Sequence, residues 1–104
     1  MNKVIFVDID ETICFYEQEI ALDGKKDYNL AIPNYENIEK INYLYEQGSH
    51  IVYWTARGSR SGIDWHAFTE QQLNSWGAKY HELKCNKPYY DLFIEDRSKR
   101  IEEI

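Results

Sequence analysis

The chain has 104 residues, enough for one small domain with a single core and too few for a second. Its formal net charge of -6 works against a nonspecific grip on DNA, RNA or anionic membrane surfaces, partners that reward a basic face. Cys14 and Cys85 form no CxxC spacing, and Met1-Asn2-Lys3 leads into an apolar run shorter than a signal-peptide core, so a reduced, cytoplasmic protein is expected. No apolar run reaches membrane-spanning length, so no membrane partner is expected, and no repeat or low-complexity tract is present. The frequent tyrosines and tryptophans read as large amphipathic rings filling the core and rim of a small domain.

Lys3 to Val7 predicts a first strand, apolar from Val4 to Val7 as in a central parallel strand covered on both faces. Asp8-Ile9-Asp10-Glu11-Thr12 follows at its C-terminal end, where open α/β sheets bind their ligands. Carboxylates are costly to bury unpaired, so this placement asks for a cation, a proton or a reaction. Residues 13–32 alternate around Asp23-Gly24, a favoured hairpin-turn pair, and predict a short β-hairpin flap overhanging that strand end. Pro33 is expected to open a crossover helix with Ile38, Ile41, Leu44 and Tyr45 on its buried face and Gly48 closing it.

A second strand is expected over residues 50–54, ending in Thr55-Ala56-Arg57-Gly58 on the same edge as Asp8 if the crossover is the usual right-handed one. After a Gly/Ser-rich loop, Asp64 is placed to cap a helix carrying Trp65, Phe68, Leu73 and Trp76, which Gly77 stops. Residues 79–83 give a weak third strand. A loop with Lys87-Pro88 then leads to a fourth strand over residues 91–94, followed by Glu95-Asp96-Arg97-Ser98, and a short terminal helix would turn Ile101 and Ile104 inward. The expected fold is a capless, three-layer Rossmann-like α/β domain with parallel strand order 4-1-2-3, right-handed helical crossovers and the flap after the first strand.

Strand ends and one loop thus bring Asp8, Asp10, Thr55, Lys87, Glu95 and Asp96 toward one edge. These types suit phosphoryl transfer, because a carboxylate approaches a phosphate dianion only when a divalent cation and a lysine offset the like charges. An aspartate nucleophile forms an aspartyl-phosphate, and a carboxylate two residues on can protonate the leaving oxygen and then deprotonate water. Magnesium prefers hard oxygen ligands and uses one or two carboxylates, for which Asp8 and Asp96 suffice.

In that order the motifs resemble the haloacid dehalogenase superfamily of phosphatases. DxDx[TV] looks like Asp8 to Thr12, the Ser/Thr ending the second strand like Thr55, the lysine like Lys87, and the acidic pair after an apolar strand like Glu95-Asp96. The resemblance implies Asp8 as nucleophile and Asp10 as acid/base with its backbone carbonyl on the metal. It implies Thr55 and Lys87, with Ala56 and Arg57 beside them, as phosphate and substrate contacts. Asp96 would bind Mg2+, with Glu95 bound directly or through water. Without a cap, water would be excluded by the flap, by a second subunit of a homo-oligomer or by the substrate itself.

Residues from Thr55 through Asp64-Trp65, Thr69, Gln72-Leu73, Trp76-Gly77, Tyr80-His81 and Lys87-Pro88 resemble small phosphatases of capsule and surface-sugar biosynthesis. The same region with Ile94 to Ser98 is similar to polynucleotide 3′-phosphatase domains. A compact acidic chain suits a small sugar phosphate better than a nucleic-acid 3′ end.

Rival readings accompany the individual residues. Thr55 alone reads as a turn cap, Arg57 and Arg60 as solvated loop charges, and Lys84 competes with Lys87, which is preferred because Pro88 fixes the approach to the fourth strand. A guanidinium fork suits oxyanions, which gives Arg57 a candidate contact to phosphate or sugar hydroxyl. His50, His66 and His81 show no metal-ligand spacing. A phosphoacceptor receiver domain also gathers Asp, Thr and Lys around magnesium, but its acidic pair is adjacent and its acceptor follows the third strand, where this chain offers only Glu82. A noncatalytic sugar-phosphate-binding domain would retain the same motifs.

Overall fold

The computed structural model describes residues 3–17 and 27–104. Along the chain run β1 (Val4–Val7), β2 (Cys14–Phe15), β3 (Ile32–Pro33), α1 (Tyr35–Glu46), β4 (His50–Trp54), α2 (His66–Ser75) and β5 (Glu82–Lys84), with single 3-10 turns at Tyr28–Leu30 and Ile101–Glu103. The main sheet has the order β1-β4-β5 and is parallel throughout, Val4 facing His50, Val7 facing Tyr53, and Trp54 facing Lys84. This matches the expected order of the first three strands.

Side chains alternate across a strand, so Ile5, Val7, Ile51, Tyr53 and Leu83 share one face of the sheet. Ile38 and Ile41 of α1 and Leu73 of α2 join these residues in one core, with Leu44, Tyr45 and Trp76 packed at its margin. Both helices therefore lie on the same face. Two crossovers that step the same way across a sheet and share one hand have that consequence. The opposite face carries Val4 and Phe6, 66 % and 50 % exposed, beside Trp54 and Lys84, so the described residues form two layers where three were expected.

The fourth strand is a correction. Residues 91–94 make no sheet pairing, and Leu92 and Ile94 are 75 % and 87 % exposed. Three apolar residues bounded by Asp91 and Glu95 have little burial to offset the ordering of an edge strand. β1 is consequently an edge of the sheet.

The flap's base is present as an antiparallel pair, Cys14 against Pro33 and Phe15 against Ile32, while its expected turn at Asp23-Gly24 lies outside the described residues. Pro33 belongs to this pair instead of the helix, and Asn34 caps α1 through Asn37 N–H, 3.0 Å from its side-chain oxygen. A proline lacking an N–H is tolerated in so short a pair, and Asn34 N–H supplies the next bond, to Ile13 O at 2.8 Å. Asn37 also donates to Thr12 O at 2.9 Å, fixing α1 to the loop after β1. Trp65, not Asp64 as expected, is the N-cap of α2 and makes no side-chain cap bond; Asp64, one residue earlier, accepts from His66 N–H at 3.0 Å. The terminal turn sets Ile101 against the core and leaves Ile104 half exposed.

Candidate active site

Because Val7 and Tyr53 are register partners, Asp8 and Thr55 leave neighbouring strands at the same edge. One Asp8 oxygen accepts from Ile9 N–H at 2.9 Å and the other lies 3.3 Å from Lys87 Nζ. Burial pushes the Asp8 carboxyl above its ordinary range, and the Lys87 charge offsets this only in part. Lys87 is buried and held on both sides: its N–H donates to Thr55 O at 3.2 Å, and its carbonyl accepts from Ser59 Oγ at 2.6 Å. The rings of Trp54 and Tyr90 flank its ammonium, with centroids 5.7 and 5.3 Å away. Lys84, the rival, instead points its ammonium over the Phe6 ring on the open face, 5.6 Å from the centroid.

The buried Thr55 accepts from Arg57 N–H at 3.1 Å through its own hydroxyl, tightening the turn at the end of β4. Ala56 lies within this turn, partly exposed. Gly58 has φ of 84°, and a side chain there would meet Ile63 O at 2.2 Å, so the loop over residues 58–63 requires glycine at its start.

Arg57 departs from its expected role as a substrate contact. Its guanidinium is buried and all five of its N–H donors face acceptors within the chain. Nε donates to Asp10 Oδ2 at 3.0 Å, Nη2 to Asp10 Oδ1 at 2.8 Å and more weakly toward Cys14 Sγ at 4.0 Å, and Nη1 to Thr69 Oγ1 at 3.2 Å and Gln72 Oε1 at 2.7 Å. Burial works against this charge, yet the hydrogen bonds and charge of Asp10 outweigh it and hold the Arg57 pKa above its ordinary value. The Tyr28 ring stacks on the guanidinium at 4.5 Å, and Tyr28 O accepts from Gln72 Nε2 at 2.8 Å.

Asp10 Oδ1 also accepts from Tyr16 O–H at 2.6 Å. Burial, then the nearby Asp10 charge, raises the pKa of Tyr16, keeping this phenol a donor. Glu11 follows in a left-handed conformation, φ 66°, costly for a residue other than glycine. The turn is closed by Glu11 N–H to Cys14 O at 2.8 Å and Ile13 N–H to Ile9 O at 3.0 Å. Tyr16, Tyr28, Thr69 and Gln72 were not anticipated as site residues. Thr69, Gln72 and Leu73 share one face of α2 by helical spacing, the signal that could have marked the two polar ones as inward.

Glu95 and Asp96 are not paired with Asp8 in this structure. Both are exposed. Glu95 accepts from Arg97 N–H at 2.6 Å, and Asp96 lies 3.9 Å from Arg97 Nε, with neither partnered by Asp8. Among the described residues no three His, Cys, Asp or Glu side chains are grouped to hold a metal ion. The strand that was to carry Glu95 and Asp96 to Asp8 is not formed, so the side chains expected to hold Mg2+ are not drawn together among the described residues.

No family model matches the chain, and no curated protein matches it. A solved structure, a structural-genomics target from Vibrio cholerae, is similar to it at 25% sequence identity and a TM-score of 0.80, covering 97% of this chain and 85% of that one. Among the described residues no helix is long and apolar enough to cross a membrane.

Proposed function

We propose that the chain is a phosphomonoester hydrolase of the haloacid dehalogenase type, magnesium-dependent and acting on a small sugar phosphate. The observation that carries this reading is the Asp8 carboxylate at the sheet edge, 3.3 Å from the buried Lys87 ammonium, next to the Thr55 turn. In the first step an Asp8 oxygen attacks phosphorus in line, an aspartyl-phosphate bond forms and the bond to the leaving oxygen breaks. Asp10, a carboxylate at rest between Arg57 and Tyr16, first takes up a proton from solvent and then gives it to that oxygen. In the second step Asp10 takes a proton from water as the water oxygen attacks phosphorus, releasing phosphate and restoring the Asp8 carboxylate. Lys87 offsets charge on the phosphoryl oxygens through both steps, and Thr55 holds the turn against which the phosphate rests.

Arg57 contributes by orientation. A two-pronged fork fixes the Asp10 carboxylate plane, and Tyr16 fixes its remaining rotation. The sugar-phosphate preference rests on the net charge of -6, which disfavours a long polyanion.

The test is phosphate release with magnesium from sugar phosphates, nucleotides and 3′-phosphorylated oligonucleotides, with Asp8→Asn as blank. Release should fall about a thousandfold or more in Asp8→Asn. Equal release from the variant would remove the nucleophile assignment, and preference for the oligonucleotide would replace the sugar phosphate with a nucleic-acid 3′ end.

A further inference from the structure

Asp8 and Lys87 line a cavity of about 1190 Å³, and four aromatic side chains, Phe6, Trp54, Tyr90 and Phe93, line it with them. The rings stand in two pairs. Phe6 and Trp54 meet edge to face at 5.5 Å on the sheet, and Tyr90 and Phe93 lie 5.3 Å apart in the segment after Lys87. The Lys87 ammonium links the pairs to the carboxylate, being 5.7 Å from the Trp54 ring centre, 5.3 Å from that of Tyr90 and 3.3 Å from Asp8. A phosphate held at this lysine therefore has aromatic surface within one sugar's reach.

Phosphoryl transfer does not call for these rings, since it asks for charge and hydrogen-bond donors. Nor do the rings close on one another to form a core: Phe6, Tyr90 and Phe93 remain 50 %, 39 % and 47 % exposed. A concave site with aromatic walls and a few placed polar groups is how proteins bury a small ligand. Trp54 is already oriented for that task, its indole N–H donating to Asn86 Oδ1 at 2.8 Å.

We propose that this cavity is a base-binding slot, and that the ester it presents to Asp8 is a nucleoside monophosphate. The proposal rests on the phosphatase reading and narrows its sugar phosphate to one that carries a planar base. A bare sugar is read through its hydroxyls, whereas Phe6 and Phe93 have no polar side-chain atom and the Trp54 N–H is taken by Asn86. A nucleobase offers two flat faces to such walls, and stacking on aromatic rings tolerates any base. Charge sets the length of the ligand. Acidic and basic side chains line the cavity in equal number, so it provides no cationic track for further phosphates. One nucleotide suits this balance, and a chain of them does not.

Equilibrium binding to Asp8→Asn, which holds an ester without cleaving it, tests the slot at saturating magnesium. The probes are adenosine 5′-monophosphate, adenosine 3′-monophosphate and ribose 5-phosphate, the last carrying a hydroxyl where the first carries its base. At least one nucleotide should bind about tenfold or more tighter than ribose 5-phosphate. Adding Tyr90→Ala/Phe93→Ala should bring the ratio of the two affinities close to one. Both residues lie outside any helix or strand, so the fold tolerates the pair, and an unchanged melting temperature checks this. Nucleotides that bind no tighter than ribose 5-phosphate, or a margin that survives the double variant, would overturn the slot. Phosphate release by the unaltered chain separates the two readings. Release with no preference for the base leaves the phosphatase standing without the slot, while a base-dependent margin with no release from any ester keeps the slot and removes the phosphatase.

Discussion

Arg57 has no donor left for a substrate, so its removal acts through Asp10. Arg57→Ala removes the cation that faces the Asp10 carboxylate, leaving it Tyr16 as a neutral donor, and leaves Thr69 and Gln72 facing a hole, a change expected to cost about 3–5 kcal/mol. Urea unfolding measures it. Arg57→Lys restores charge without the fork and should recover part of the stability but little of the turnover, because one ammonium cannot hold both Asp10 oxygens and both α2 acceptors. Asp8 behaves oppositely. The fold raises its pKa, so the folded chain binds this proton more tightly than the unfolded chain, and the site loses stability as pH rises through the carboxylate range. In metal-free buffer Asp8→Asn should therefore melt higher than the parent near pH 7 and lose that advantage near pH 3. A melting series over pH decides it. Asp8, Thr55 and Lys87 were legible in the sequence because each ends a strand or precedes a proline. The partner of Arg57 was not: a guanidinium chosen to face an oxyanion looks the same in sequence whether the oxyanion belongs to a substrate or to Asp10.

At the scale of elements, the loop over residues 58–63 ties the strand ends together, since Ser59 Oγ holds the Lys87 carbonyl while Gly58 sets the loop's entry. Gly58→Ala meets both a positive φ and the Ile63 carbonyl, and is expected to cost about 1–3 kcal/mol and to lower turnover by displacing Lys87. Thermal melting and phosphate release should fall together; a variant with full activity would detach the loop from the site. Strands and helices buried on one face were readable from periodicity, as in Ile38 and Ile41 of α1 and Ile51 and Tyr53 of β4. Residues 91–94 carry the same local signal, yet local propensity does not include the cost of bringing Glu95 and Asp96 to Asp8. Pro33 misled for a related reason. It suits a helix's first turn and an edge pair equally well, and the bond from Asn34 N–H to Ile13 O favours the pair.

For the whole molecule, the decisive quantity is a net charge of -6 on a body with a radius of gyration of 13.6 Å. At about 0.01 M ionic strength the screening length is roughly 30 Å, so an approaching phosphate feels the entire chain; at about 0.15 M it is roughly 8 Å, and only groups near the site, Lys87 foremost, act on it. Added salt should therefore raise kcat/KM several-fold over that interval with magnesium held saturating. A basic enzyme would show the opposite slope. The rise should be steeper for a 3′-phosphorylated oligonucleotide than for a 3′-mononucleotide, because each added phosphate meets the same repulsion. At low salt the longer substrate should be the poorer one. Steady-state kinetics on the two substrates at both ionic strengths separates the cases. An oligonucleotide favoured at low salt would require a local cationic track that outweighs the net charge, and would move the substrate assignment from the small phosphate to the nucleic-acid end.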